Sequence, residues 1–273
     1  MSSPPMAPDA LAKLFAELCL EAGAIVMEVF GRATIETRIK GDSSPVSEAD
    51  ERAEIFLLAA LSRRLPGLPV IAEESAARGI TPSQSGCFAL VDPLDGTREF
   101  IARRKEFTVN VAYVENGAPI AGAVYAPALG ELWFAGGAAS FVRAAPGAPL
   151  PPASDWRVLR TRPLPPEGAT ALVSRSHLDA ETEAFLARRK IKDRIDAGSS
   201  LKFCRVAEGA ADIYPRLGPT MEWDTAAGDA VLRAAGGVTL IPGGEPLRYG
   251  KADQNYKNGP FVCFGDPNSA TFS

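Results

Sequence analysis

The sequence predicts a mixed α/β fold on three observations: two long amphipathic helical stretches at the start, a run of short β-type segments in the middle, and alternating short strands and helices in the last third. At 273 residues the chain suits one large unit or two lobes sharing a core. Over residues 9–30, Leu11, Leu14, Leu18, Ala22, Ile25 and Val29 recur at three- and four-residue steps, so they fall on one helical stripe that Gly31 closes. A second helix starts at Ser47, whose hydroxyl can cap a first turn, and runs through Ala53, Phe56, Leu57 and Leu61 to Leu65. Residues 69–72 and 87–91 are apolar runs that end in acidic residues, the pattern of buried strands emerging at a functional edge. Segments 107–114, 118–125, 131–135 and 139–142 alternate with the turn signals Asn116-Gly117 and Gly136-Gly137, which predicts an antiparallel meander. Prolines between Pro146 and Pro166 then break all periodicity, so the lobe boundary is placed there, dividing 1–150 from 151–273. The second lobe reads as strands at 171–173, 212–214, 238–240 and 261–264 with helices at 180–189, 201–208 and 224–235.

Composition excludes several classes. With 46% hydrophobic and 23% charged residues the chain is globular, and its apolar stretches fall short of the roughly 20 residues a membrane span needs. A net charge of −4 supplies no basic field for a nucleic acid polymer, though a small phosphate ester held by metal remains compatible. Cys19, Cys87, Cys204 and Cys263 form no C-x-x-C pair and read as buried small hydrophobes. The first ten residues lack a basic stretch followed by an apolar core, so the default compartment is a reducing cytoplasm.

Four segments carry chemistry. In Asp92-Pro93-Leu94-Asp95-Gly96-Thr97 two carboxylates three residues apart flank a proline-stiffened turn; this is good turn chemistry by itself, yet it also lets both carboxylates and the Leu94 carbonyl face one Mg²⁺. Gly96 and Thr97 would present backbone amides to a phosphate if a helix starts there. Glu73 and Glu74 leave a strand and so point to opposite sides, which lets one of them reach the aspartate pair. Asp224 is placed as an N-cap of the helix that follows Trp223. The segment 40–50 runs from a polar loop into a helix, with Asp50 in its first turn.

In this order the segments resemble the lithium-sensitive, magnesium-dependent phosphomonoesterases of the inositol monophosphatase superfamily, through Ala72-Glu73-Glu74, Asp92 to Thr97 and Trp223-Asp224. The resemblance implies a layered α-β-α-β-α sandwich and two or three Mg²⁺ ions per site. Glu73, Asp92, the Leu94 carbonyl, Asp95 and Asp224 would serve as ligands, and Asp50, Glu73 and Thr97 as the groups that ready a water. Segments 44–50, 198–204 and 220–228 are similar to its 3′(2′),5′-bisphosphate nucleotidase branch, which implies a place in sulfur metabolism. Arg216, where relatives specific for inositol phosphate usually carry an acidic group, together with Lys202 and Ser199, would hold a second phosphate; an arginine fork gains nothing comparable from a neutral hydroxyl. Glu73, Leu94, Asp95, Gly96, Thr97 and Asp224 would touch the substrate as well. His177, the single histidine, reads as a loop or capping residue or as a nucleotide contact. The expected reaction releases phosphate from adenosine 3′,5′-bisphosphate. The rivals are an inositol-1-phosphate or broad sugar-phosphate phosphatase, and a phosphate-binding subunit without catalysis. A homodimer and a peripheral seat at the inner membrane are both compatible with the resemblance.

Overall fold

The computed structural model describes residues 5–39, 45–83, 86–174 and 179–272. Its helices are α1 (Pro8–Phe30), α2 (Glu48–Arg64), α3 (Glu73–Ala77), α4 (Thr97–Ile101), α5 (Ala180–Ala187), α6 (Leu201–Ala207) and α7 (Glu222–Ala234). The strands, in chain order, begin with β1 (Thr37–Ile39), β2 (Pro45–Ser47), β3 (Val70–Ala72), β4 (Cys87–Asp95), β5 (Thr108–Glu115), β6 (Ala118–Ala126), β7 (Glu131–Ala135) and β8 (Ala139–Arg143). They continue with β9 (Arg157–Val158), β10 (Ala169–Ser174), β11 (Ile191–Ala197), β12 (Ile213–Arg216), β13 (Thr220–Met221), β14 (Val238–Leu240), β15 (Lys257–Asn258) and β16 (Phe261–Phe264).

Two sheets organise the chain. Seven strands run in strict sequence order β3-β4-β5-β6-β7-β8-β9, parallel at the first pair and antiparallel thereafter. Five strands form the second sheet in the order β11-β10-β12-β16-β14. Because side chains alternate across a strand, each sheet feeds two cores. Val109, Val111, Tyr113, Ala123 and Tyr125 pack under α1 and α2, whereas Ala112, Val114, Val124 and Ala126 pack with Phe203 of α6 and Val231 of α7. On the second sheet Tyr214, Phe261 and Cys263 join that middle core, while Ile213, Val262 and Phe264 face Phe185 and Leu186 of α5. The order is therefore α1/α2, sheet, α6/α7, sheet, α5, the five layers that the resemblance implies. Full burial of each large apolar side chain contributes about 2 kcal/mol, so this three-part core outweighs any single capping contact.

The elements follow the periodicity with instructive departures. Ser47 caps α2 by accepting from the Ala49 amide at 3.2 Å, as its position suggests. β11, with Lys192, Asp193, Arg194 and Asp196, carries no apolar alternation because it is an exposed edge, where charge discourages further pairing. Glu73 and Glu74 do not leave β3 as extended residues; they open the helical turn α3. α7 starts at Glu222, two residues before the expected N-cap, and Asp224 instead accepts from the Met221 amide at 2.8 Å from within the first turn. Of the cysteines, Cys19, Cys204 and Cys263 are buried and Cys87 is half-buried.

Candidate active site

β4 continues through Asp92 to Asp95, and its pairing with β5 shifts register between those two residues. The irregularity turns the chain at Gly96, which sits at φ 90°. A side chain there would strain the backbone and bring a Cβ within 3.1 Å of the Glu106 carbonyl, so glycine is required. α4 begins immediately at Thr97, which leaves first-turn amides without helical partners.

Asp92 is buried at 1% exposure, and its Oδ1 accepts from the Leu94 amide at 3.0 Å. Burial, then the charges of Glu73, Asp95 and Asp224, push its carboxyl well above the ordinary aspartate range. Asp224 is raised well above it too, by burial and then by Asp95 and Glu73. Asp95 is raised to about 6, mainly by burial, with Lys202 and the Ser200 amide pulling the other way. Glu73, half-buried, lines the same cleft as Asp95 and Asp224. Like charges held this close disfavour one another's ionised form, and hard carboxylate oxygens in such excess suit a divalent cation such as Mg²⁺. Among the described residues no three of these side chains close into a finished ligand cage; what they share is electrostatic contact.

Beside them stands a polar relay. Asp50, fully buried, accepts from the Ser47 amide at 2.8 Å and the Ser47 hydroxyl at 2.6 Å through one oxygen. Its other oxygen is 3.1 Å from the Thr97 hydroxyl, which is also 3.2 Å from the Leu94 carbonyl. One hydroxyl proton serves one of those acceptors at a time.

The same cleft also carries basic side chains. Lys202 on α6 is buried, its Nζ donating to the carbonyls of Ser199 at 2.6 Å and Ala197 at 3.2 Å and lying 5.2 Å from the Tyr214 ring centre. Burial, partly offset by Asp95, lowers its pKa to about 8. Although it stands on a helix, Lys202 is thus not a solvated surface charge. Arg216 at the end of β12 donates through Nη2 to the Pro219 carbonyl at 3.0 Å. Ser199 adopts φ 46°, and among the described residues its buried hydroxyl has no hydrogen-bond partner. Acidic and basic side chains line one cleft, with Gly96, Thr97, Ser199, Lys202, Arg216 and Asp224 on its surface.

Sequence reasoning missed Tyr214, Glu99 and Thr220, which also line the cleft. It also missed Ser200, whose hydroxyl bridges Asn110 and Thr108 at 2.8 Å each and ties the start of α6 to β5. None of these carries a motif; only the fold brings them in. His177 and residues 40–44 lie outside the described residues.

Comparison with known proteins places the chain. The inositol monophosphatase family matches residues 8–260, and the chain belongs to that family, whose members are typically magnesium-dependent phosphatases. The 3′(2′),5′-bisphosphate nucleotidase CysQ of Shigella flexneri is 40% identical over 234 residues, 85% of this chain and 91% of that protein. The protein of the same description from Aggregatibacter actinomycetemcomitans is 31% identical over 249 residues, 90% of this chain and 89% of that protein. Among solved structures, CysQ from Bacteroides thetaiotaomicron superposes with a TM-score of 0.79 at 36% identity, covering 93% of this chain and 97% of that one. An inositol monophosphatase from Zymomonas mobilis gives 0.75 at 26% identity, covering 96% and 95%. The expected fold and family are borne out, and no helix among the described residues is long and apolar enough to cross a membrane.

Proposed function

We propose that this chain is a 3′(2′),5′-bisphosphate nucleotidase that removes the 3′-phosphate of adenosine 3′,5′-bisphosphate, giving AMP and phosphate. The observation that carries this reading is the charge of the cleft: the carboxylates Glu73, Asp95 and Asp224 share its lining with the cations Lys202 and Arg216. A molecule with two phosphates can use both the metal-binding carboxylates and the cations, whereas inositol 1-phosphate would leave the cations facing neutral hydroxyls. The likeness to CysQ proteins supports the same substrate.

Glu73, Asp92, the Leu94 carbonyl, Asp95 and Asp224 would hold two or three Mg²⁺ ions, which neutralise phosphate charge and supply hydroxide near neutral pH. The remaining work falls to this chain's own groups. Two donors from Ser47 occupy one oxygen of Asp50, so its other oxygen is turned to the Thr97 hydroxyl. Thr97 Oγ1 would accept a hydrogen bond from the attacking water, aligning it for in-line displacement, and take its proton while passing its own to Asp50, the carboxylate on which the proton ends. Glu73, which lines the same cleft as Thr97, would be a second acceptor. The Gly96 and Thr97 amides steady the equatorial phosphate oxygens, and Asp224 also reaches toward the ribose. Ser199, Lys202 and Arg216 grip the 5′-phosphate; His177 is carried as a nucleotide contact. Residues 1–150 would supply most of the carboxylates and 151–273 the cations with Asp224. The chain's place of work would be the cytoplasm, including the inner membrane face.

Phosphate release from adenosine 3′,5′-bisphosphate, inositol 1-phosphate and fructose 1,6-bisphosphate, measured with Mg²⁺ and with added Li⁺, tests the reading. The nucleotide is expected to be the best of the three by kcat/KM; a preference for inositol 1-phosphate overturns it.

A further inference from the structure

Glu54 is a carboxylate that the reaction does not use, yet it is buried at 1% exposure on α2, one helical turn beyond Asp50. Its contacts all go to one place. Oε2 accepts from the Glu74 amide at 2.7 Å, and Oε1 accepts from the Ser75 hydroxyl at 2.7 Å and the Arg78 guanidinium at 3.2 Å. These donors belong to α3 and the residue that ends it, and α3 begins with Glu73.

A helix of five residues has no stability of its own, because nucleation fixes three residues for the first hydrogen bond. Its N-cap residue is Ala72, which has no side chain to satisfy the free amides of the first turn. Glu54 supplies that cap from another helix. We propose that Glu54 is a positioning residue for the metal site: by capping α3 it fixes the backbone from which Glu73 projects, so that α2 sets both Asp50 and, at one remove, Glu73. This inference rests on the reading of Glu73 as a Mg²⁺ ligand.

The test is Mg²⁺ binding to the full chain, followed by calorimetry and by the rise in Tm with Mg²⁺ concentration. Glu54→Gln keeps the shape but turns an amide group toward donors, so half-saturation is expected to need about tenfold more Mg²⁺. Ser75→Ala removes one donor and is expected to need about threefold more; it carries the test alone if the first variant does not fold. Glu131→Gln is the control, since Glu131 is also buried and held by Arg143 and Arg205 at 2.6 and 2.8 Å but lies on β7. It is expected to lower the metal-free Tm and leave the Mg²⁺ requirement unchanged. Unaltered half-saturation in both α3-directed variants, or an equal shift in the control, overturns the positioning role alone. Failure of the unaltered protein to bind Mg²⁺ overturns this role and the functional reading beneath it.

Discussion

Asp224 and Asp229 stand five residues apart on the same helix, α7, and live in opposite surroundings. Asp229, fully buried, is met by Arg233 at 2.8 Å, by the Thr239 hydroxyl at 2.7 Å and by the Tyr249 hydroxyl at 3.0 Å. Asp224 accepts from the Met221 amide, and burial, then the charges of Asp95 and Glu73, drive its pKa up, with Arg216 pulling more weakly the other way. Glu222, at the head of the helix, belongs with Asp229: the amides of Gly250 and Lys251 and the Lys251 ammonium group surround it. Burial alone therefore does not mark a functional carboxylate in this protein. A buried charge given its counter-charge holds the fold together, whereas one set among like charges is where the proposed cation would be held.

The sharpest break of that comparison is a pair of isosteric changes. Asp92→Asn is expected to lower turnover at saturating Mg²⁺ by at least about a hundredfold while Tm holds or rises, because a repelled charge leaves the site. Asp229→Asn should do the reverse, costing about 3 kcal/mol of stability by chemical denaturation while turnover stays within about threefold. If the two variants exchange these phenotypes, the division between structural and functional carboxylates is wrong.

In the same cleft, Arg216→Glu is expected to reduce kcat/KM for the bisphosphate by about tenfold or more beyond any loss on inositol 1-phosphate. Parallel losses on both would remove the basis for a second-phosphate site. A gentler probe is pH. Asp95 titrates near 6 when folded, above its ordinary value, so the folded metal-free protein binds more protons than the unfolded one. That contribution to stability is present at low pH and is lost as pH rises through about 6, while Mg²⁺ competes with the same protons. The gain in Tm on adding Mg²⁺ should therefore be larger at pH 7 than at about pH 5; a gain independent of pH would contradict the raised carboxyl. The smallest effect concerns Lys202, which loses its proton near pH 8. KM for the bisphosphate should rise a few-fold as pH passes through that value, and Lys202→Met should flatten the dependence.

Much of this is legible in the sequence. Regular spacing gave α1, α2 and the meander, since burial on one face imposes a period on the sequence. Asp92, Asp95 and Thr97 announced themselves by lying in one short segment. Glu54 and Asp229 did not, because the meaning of a buried carboxylate depends on partners from distant segments. Glu54 lies four residues after Asp50, a spacing that puts both on one face of α2, and that was the single available hint. β11 was hidden by its charges, and the start of α7 was misjudged because Asp224 suits an N-cap and a first-turn position equally well.

The strict sequence order of the seven-stranded sheet also bears on how the molecule comes into being. Each of its strands pairs with the neighbour just before it, contacts that an emerging chain can make as it is synthesised. Asp224 arrives only with α7, long after Asp92 and Asp95 have been laid down. On the proposed ligand set, an unfinished chain would lack one of its carboxylates, and cation capture would be a late event in maturation that fastens α7 to scaffolding already assembled.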